Sequence, residues 1–577
     1  MIARYNKQLL IIAIGALVLL PFLGSVNLFD WDEINFAESS REMMITGNYF
    51  QNQINFEPFW EKPPFFFWIQ SASMALFGQN EFGARFPNVL FGIITLVLIF
   101  NIGKRLYNDR FGIMWALLYL GSFLPHLYIR SGIIDPVFNL FIFSSLYYFV
   151  RTIEDSNHKR SKKHAITSGF FIGLAIITKG PVGLLILLLA IAFYWVLNRF
   201  RPLASFNNLL LFLLVAFLTS ILWFGYETVK NGPWFLGEFL AYQIELLTGA
   251  EGGAASGHQQ PFYYHFIVIL LGCFPISFLA LGNVFGSKYL EDRFRFKRWM
   301  NILFWVVLVL FSIVSTKIMH YSSMAYLPLS FMAAYYLYQV DRGREKINSW
   351  IGIFTGVVGV CYAVVFILIP IVAINKEGWL LPLIDDAFIR DGLSVEVEWS
   401  GFEIGIGAVF GLFVIAAVIQ LFKKKVFRFT VINAMGVTFL MITTSIWILP
   451  KIERYVQGPA IDFYRSLENQ DVYIWPLEHK SYAHYFYAKT LPLADDSGLA
   501  AHKSSILTAL GKEKSNELEG KERSEYLLGI QKWLISGHID KPAYFLIKSD
   551  KYVSAKFPTL ELVMKKGGFV GLRRNPS

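Results

Sequence analysis

Between residues 8 and 450, apolar runs near twenty residues long recur about thirteen times, each long enough to cross a hydrocarbon core of roughly 30 Å. They begin near residues 8, 86, 111, 135, 165, 182, 209, 262, 300, 322, 351, 402 and 430. Such a pattern leaves room for little besides a bundle of membrane-spanning helices. Composition agrees, since 16% of the residues are charged against about 25% in a soluble globular chain. The first run follows a short basic start, Arg4 and Lys7, and no small-residue cleavage site precedes the next loop. It reads as a retained span rather than a signal peptide. The two cysteines, Cys273 and Cys361, both sit inside apolar runs and read as small core hydrophobes.

The net charge of +10 raises the question of a nucleic-acid partner. The excess sits in short loops between apolar runs, where positive-inside bias puts it, and this excludes such a partner. With the N-terminus in the cytoplasm, about 24 Lys and Arg up to Pro450 fall on the cytoplasmic side and about 9 outside. The outer face then receives residues 32–82, 130–135, 179–181, 230–261, 316–321 and 376–401. Every candidate for chemistry lies in those segments, which argues for one extracytoplasmic active site.

Past Pro450 charged and polar residues rise and no further apolar run appears. Residues 472–475 and 543–547 read as strands, and residues 522–535 as a helix. The expected organisation is a membrane domain over residues 1–450 and a small extracytoplasmic α/β domain over residues 451–577.

Ionisable groups beside a bilayer are costly to desolvate, so acids clustered at its face suggest a site. Asp30-Trp31-Asp32-Glu33 resembles a helix start with Asp30 as N-cap and Glu33 at the third helical position, and Gly47-Asn48 gives the stop. Apolar Ile34, Phe36, Ala37, Met43 and Met44 alternate with Glu38, Arg41 and Glu42, which suits a helix lying in the membrane interface. The plain structural reading of Asp32 and Glu33 is that they offset the helix dipole.

Glu61-Lys62-Pro63-Pro64 precedes a second helical run, residues 65–77. Proline favours the first helical position, so Lys62 is held near a helix N-terminus where backbone N–H groups and an ammonium together receive a phosphate. Asp135 opens another span, and Lys179 sits in the turn Thr178-Lys179-Gly180-Pro181, where a structural role is the simpler reading. The loop of residues 230–261 holds Glu238, Glu245, Glu251 and His258. Imidazole and carboxylate suit zinc, so Glu61 and His258 are candidate ligands of a divalent metal, whether zinc, magnesium or manganese. Lys317, His320 and Tyr321 add a cation, an imidazole and a phenol at the end of another span.

As a set these residues resemble the polyprenyl-phosphate-sugar glycosyltransferases of the GT-C fold, closest to the branch that holds the lipid A aminoarabinose transferases and relatives of the protein O-mannosyltransferases. The resemblance rests on Asp32-Glu33, Arg41-Glu42-Met43, Glu61-Lys62-Pro63-Pro64, Phe77-Gly78, Arg85-Phe86-Pro87, Asp135, Thr178-Lys179-Gly180-Pro181, His258, and Lys317 with His320-Tyr321. It spans roughly residues 8 to 330. It implies a polytopic helical membrane protein with extracytoplasmic interfacial helices and an appended soluble domain, in a bacterial inner membrane. It also implies transfer of a sugar, with inversion, from a polyprenyl-phosphate donor to a lipid, glycan or protein acceptor.

A hydroxyl nucleophile is weak at neutral pH and needs a base in hydrogen-bond reach, whereas a departing phosphate needs its charge neutralised. The resulting expectation makes Asp32 the base, with Glu33 beside it and Asp135 orienting or sharing the role. Lys62, Lys317, His320 and Tyr321 would then hold the donor phosphate. A ligase or polymerase of lipid-linked glycans is the nearer rival. A transporter is the further one, since transporters carry ionisable groups near the bilayer midplane on broken helices.

Overall fold

The apolar runs become helices. In the computed structural model, which describes residues 2–248, 260–285, 292–515, 518 and 520–576, seven helices are long and apolar enough to cross a membrane. They are Glu81–Leu106, Asp135–Glu154, Phe206–Asn231, Arg293–Ile313, Ser349–Ile374, Ile404–Phe422 and Val426–Trp447. Two bent pairs raise the number to nine among the described residues: Asp109–Leu120 with Phe123–Ile129, bent by 78°, and Tyr264–Gly272 with Ile276–Asn283, bent by 104°. Shorter apolar helices cover Asn6–Leu19, Phe65–Phe77 and Val182–Leu197. His158–Lys179 and Tyr326–Asp341 are helical as well. The chain is thus a polytopic helical membrane protein.

It divides into two compact units. The first comprises residues 1–23, 60–367 and 405–444, and the second residues 24–59, 368–404 and 445–577.

Within the first unit, helices meet at small residues, as association inside lipid requires, where close backbone approach and polar bonds replace the hydrophobic effect. Gly169 and Gly173, spaced one helical turn apart, face Phe206–Asn231. A Cβ at Gly169 would come within 2.4 Å of the Phe212 carbonyl oxygen, and one at Gly173 within 2.4 Å of Thr219 Cβ. On the other flank of His158–Lys179, Ser145 donates to the Ser168 carbonyl and Ser168 to the Ser145 carbonyl, both at 2.8 Å. Asn208 Nδ2 donates to Ser161 Oγ at 2.8 Å. These contacts fix helices Asp135–Glu154, His158–Lys179 and Phe206–Asn231 as a block, with Asp135 and Lys179 at its ends.

The second unit is built around a four-stranded sheet. Strands β1 (Gln53–Ile54) and β2 (Glu57–Pro58) form a separate small hairpin. The sheet contains β3 (Tyr473–Leu477), β4 (Ala543–Lys548), β5 (Glu561–Lys566) and β6 (Phe569–Arg574), in the order β3-β4-β6-β5. Only the β3–β4 pair is parallel. Helices Gly498–Ala509 and Gly520–Ser536 supply Leu499, Tyr526, Ile530 and Leu534 to a core with Tyr473, Phe545, Ile547, Val570 and Leu572.

Segments far apart in sequence are tied into this unit. Leu28 N–H donates to Tyr487 Oη at 2.7 Å, Ser481 Oγ to Asp30 Oδ2 at 2.9 Å, and Lys503 pairs with Glu57 at 3.0 Å. From residues 368–404, Trp399 Nε1 donates to Tyr455 Oη at 3.0 Å and Glu403 pairs with Lys451.

Helix Asp32–Thr46 forms where the sequence placed it and stops at Gly47, whose φ of 68° is left-handed and whose N–H donates to the Met43 carbonyl. Two local expectations are corrected. Its N-cap is Trp31, with no side-chain cap, because Asp30 is engaged by Ser481. Nor is it a one-sided interfacial helix, since every residue from Glu33 to Met43 is buried. Its polar residues are satisfied inside: Arg41 donates to both oxygens of Glu38 at 2.8 and 2.7 Å, and to the Thr490 carbonyl at 2.7 Å. Glu42 accepts the N–H groups of Asn55 and Phe56 at 2.7 and 2.8 Å.

Candidate active site

Two helix ends bring opposite charges together. Asp135 is the first residue of Asp135–Glu154, with a proline in its first turn, so its carboxylate stands at the positive end of that helix dipole. Lys179 is the last residue of His158–Lys179, at a negative end. The helix stops there because Gly180 takes a φ of 97°, which side-chain-bearing residues avoid, while its N–H still donates to the Ile176 carbonyl. Lys179 Nζ lies 2.6 Å from Asp135 Oδ1, and His320 Nε2 lies 3.8 Å from Asp135 Oδ2. Asp135 is 3% exposed, so its charge is held by the Lys179 ammonium, with the His320 imidazole nearby, rather than by water.

The pair lies in the wall of a cavity of about 140 Å³ within the first unit. Lys62, Asn139, Gln243 and Tyr321 are the other polar residues of that wall, and the apolar part comes from Phe138, Val182, Leu185, Ile186, Phe311, Val314 and Met324. Lys179 Nζ stands 5.1 Å from the centre of the Tyr321 ring and 5.8 Å from that of Phe138. Asn139, one helical turn past Asp135, donates to Ser323 Oγ at 2.8 Å and ties the helix to the 3-10 segment Met319–Ala325 that carries His320 and Tyr321.

Lys62 reaches this wall from the segment before helix Phe65–Phe77, whose N-cap is Pro64. Its neighbour Glu61 accepts a hydrogen bond from Tyr242 Oη at 2.8 Å, and Lys62 Nζ sits 5.3 Å from the centre of the same Tyr242 ring. One residue of helix Trp234–Thr248 thus braces both halves of the Glu-Lys pair.

The sequence-derived candidates therefore fall into groups. Lys62, Asp135 and Tyr321 share the cavity wall, with His320 against Asp135. Lys317 is buried and donates to the Val314 carbonyl at 2.8 Å without joining that wall. Glu61 is engaged by Tyr242. Asp32 and Glu33 belong to the second unit, where Glu33 Oε2 accepts the Phe29 N–H at 2.8 Å and Asp32 opens its helix. His258 lies outside the described residues. Three polar wall residues were absent from the sequence-derived set: Lys179, which passes for a turn residue until its partner 44 positions away is known, and Asn139 and Gln243, which no motif marks.

An apolar chamber with two ammonium groups, a phenol and one buried carboxylate can hold an anion that carries a hydrophobic tail. The cations neutralise the charge, and the low dielectric strengthens each contact.

The family model described as dolichyl-phosphate-mannose-protein mannosyltransferase matches residues 61–223, the stretch that carries Lys62, Asp135 and Lys179. Among curated proteins, the chain is 27% identical over 373 residues to undecaprenyl phosphate-alpha-4-amino-4-deoxy-L-arabinose arabinosyl transferase 1 of Proteus mirabilis, covering 62% of this chain and 65% of that one. It is 27% identical over 457 residues to the protein of the same description from Wigglesworthia glossinidia brevipalpis, covering 74% and 80%. The match to the first thus spans just under two thirds of that relative's length. Among solved structures, ArnT from Cupriavidus metallidurans bound to undecaprenyl phosphate superposes with a TM-score of 0.75 at 18% identity, over 99% of this chain and all of that one. The fold is therefore shared along essentially the whole chain.

Proposed function

We propose that this chain, which resembles the polyprenyl-phosphate-sugar glycosyltransferases of the GT-C fold in sequence and in architecture, moves a sugar from a polyprenyl-phosphate donor to an acceptor hydroxyl or phosphate. The observation that carries the reading is the cavity in which Lys62 and Lys179 stand with Asp135 and Tyr321 above an apolar floor. A lipid-linked phosphate presents that combination of a compact anion and a hydrocarbon chain.

In the reaction, the acceptor oxygen attacks the anomeric carbon as the bond from that carbon to the phosphate oxygen breaks. In-line displacement inverts the centre. The phosphate leaves with the bonding electrons, and Lys62, Lys179 and the Tyr321 hydroxyl stabilise the charge it gains. Asp135 holds Lys179 at its post and faces His320. Lys317 donates to the Val314 carbonyl, just ahead of the segment that bears Tyr321. For the acceptor proton we keep Asp32 as the base, from its place at the first residue of helix Asp32–Thr46, with Glu33 fixing that helix start through Phe29.

A divalent metal on Glu61 and His258 is the remaining element of the sequence reading. Zinc sites draw three or four protein ligands. Among the described residues no group of three His, Cys, Asp or Glu side chains is placed to hold an ion, and Glu61 is already bonded to Tyr242. No step of this mechanism depends on a metal.

The same reading gives about thirteen spans, since the two bent pairs, Asn6–Leu19, Val182–Leu197, His158–Lys179 and Tyr326–Asp341 join the seven long apolar helices. The excess of Lys and Arg in alternate loops supports a cytoplasmic N-terminus, with the reaction and the residue 451–577 α/β domain on the periplasmic side of a bacterial inner membrane.

The experiment is transfer from a polyprenyl-phosphate sugar in membranes containing the full chain, alongside mass spectra of lipid A and glycoproteins from cells with and without it. Transfer with loss of a sugar-sized mass in one acceptor class is the expected result. No transfer and identical spectra would sink the reading.

A further inference from the structure

Apart from the Asp135 carboxylate, which Lys179 engages, every polar residue of the cavity wall carries a donor: the ammonium groups of Lys62 and Lys179, the phenol of Tyr321 and the amides of Asn139 and Gln243. Gln243 differs from the others in one respect. Its Nε2 is buried and makes no hydrogen bond among the described residues, although an amide nitrogen carries two donor hydrogens. A buried donor left without an acceptor is costly, so a native site that keeps one calls for a reason.

The surroundings of the side chain supply that reason. Gln243 lies on helix Trp234–Thr248, directly after the Tyr242 that braces Glu61 and Lys62. Its amide oxygen faces the glycine turn next to Lys179: a Cβ at Gly180 would stand 3.6 Å from Gln243 Oε1. Adjacent residues of one helix therefore touch the two lysine-bearing segments of the cavity.

Resting on the donor reading given above, we propose that Gln243 is a binding residue for the donor phosphate, its amide nitrogen donating to a non-bridging phosphate oxygen between Lys62 and Lys179. Phosphate oxygens are acceptors only, as a ring of donors demands. A neutral amide adds a directed bond there without adding a third positive charge.

The test uses the full-length chain in detergent with two probes, a sugar-free polyprenyl monophosphate and the matching polyprenol. Gln243→Leu is expected to weaken monophosphate binding roughly tenfold to hundredfold, the range for one hydrogen bond to a charged group, and to leave polyprenol binding unchanged. Gln243→Lys keeps a donor at that point and is expected to retain monophosphate binding, which separates a lost bond from a damaged helix. Wild-type monophosphate affinity in Gln243→Leu, or equal weakening for both probes, overturns the assignment. If Lys62→Ala loses monophosphate binding while Gln243→Leu does not, the assignment falls and the donor reading stands. If the wild-type chain does not bind the monophosphate, both fall.

Discussion

Lys179 Nζ and Asp135 Oδ1 are 2.6 Å apart across the ends of two antiparallel helices, and their side chains are only 13% and 5% exposed. Each residue alone suits its own helix terminus. Together they form a nearly dry ion pair in the wall of the cavity proposed to take the donor phosphate.

Removing one member of such a pair strands the other. Lys179→Ala is expected to cost about 3 kcal/mol of stability, because the Asp135 carboxylate is left buried without the ammonium that pairs with it. Lys179→Met with Asp135→Asn is expected to recover most of that loss but not the transfer activity. Thermal unfolding and transfer rates on the same three preparations check both statements. Full activity in the double variant would remove the pair from the chemistry.

Asp32→Asn preserves shape and removes the basic carboxylate. Transfer is expected to fall by a hundredfold or more, the usual contribution of a general base, in membranes holding normal amounts of protein. Wild-type rates would return Asp32 to a helix-terminus role.

Gly180→Ala places a Cβ on a backbone with φ of 97° and within 3.2 Å of the Phe239 ring. The expected cost is about 1 kcal/mol or more from the conformation alone. A weaker polyprenyl monophosphate affinity should accompany it, because the turn carries Lys179. Titration with that lipid separates the two effects: unchanged affinity with lowered stability would mean the turn matters only for folding.

Glu42 gives a pH dependence in the second unit. Burial, reinforced by the adjacent Glu38, pushes its carboxyl from 4.5 up to about 9. The folded state thus binds this proton more tightly than the unfolded chain does. Its stabilisation is complete below pH 4.5 and declines as pH rises towards 9, by at most about 1.4 kcal/mol per pH unit. Glu42→Gln, permanently neutral, is expected to flatten that decline. Thermal unfolding at pH 5, 7 and 9 is the measurement, and an equal slope in both proteins would refute the account.

How much of this was legible in the chain differs from residue to residue. Helix Asp32–Thr46 was readable, start and stop, because helix propensity and the Gly47 C-cap act within a few residues. Its burial was not. The alternation of Ile34, Phe36 and Met43 with Glu38, Arg41 and Glu42 looks amphipathic only until Arg41 and Glu38 are seen to satisfy each other inside the protein. Lys62, Asp135 and Tyr321 could be named from their types and loop positions, but Gln243 could not. An orphaned amide becomes visible only when everything around it is in place.

Hydropathy by itself determined that this chain crosses membranes repeatedly, because the free energy of burying twenty apolar residues in lipid is local and additive along the sequence. The pairing of Lys179 with Asp135 was decided only by tertiary structure. An ion pair depends steeply on distance, and no local rule reports the separation of side chains 44 residues apart. It took the glycine and serine contacts of three packed helices to bring those two ends into register.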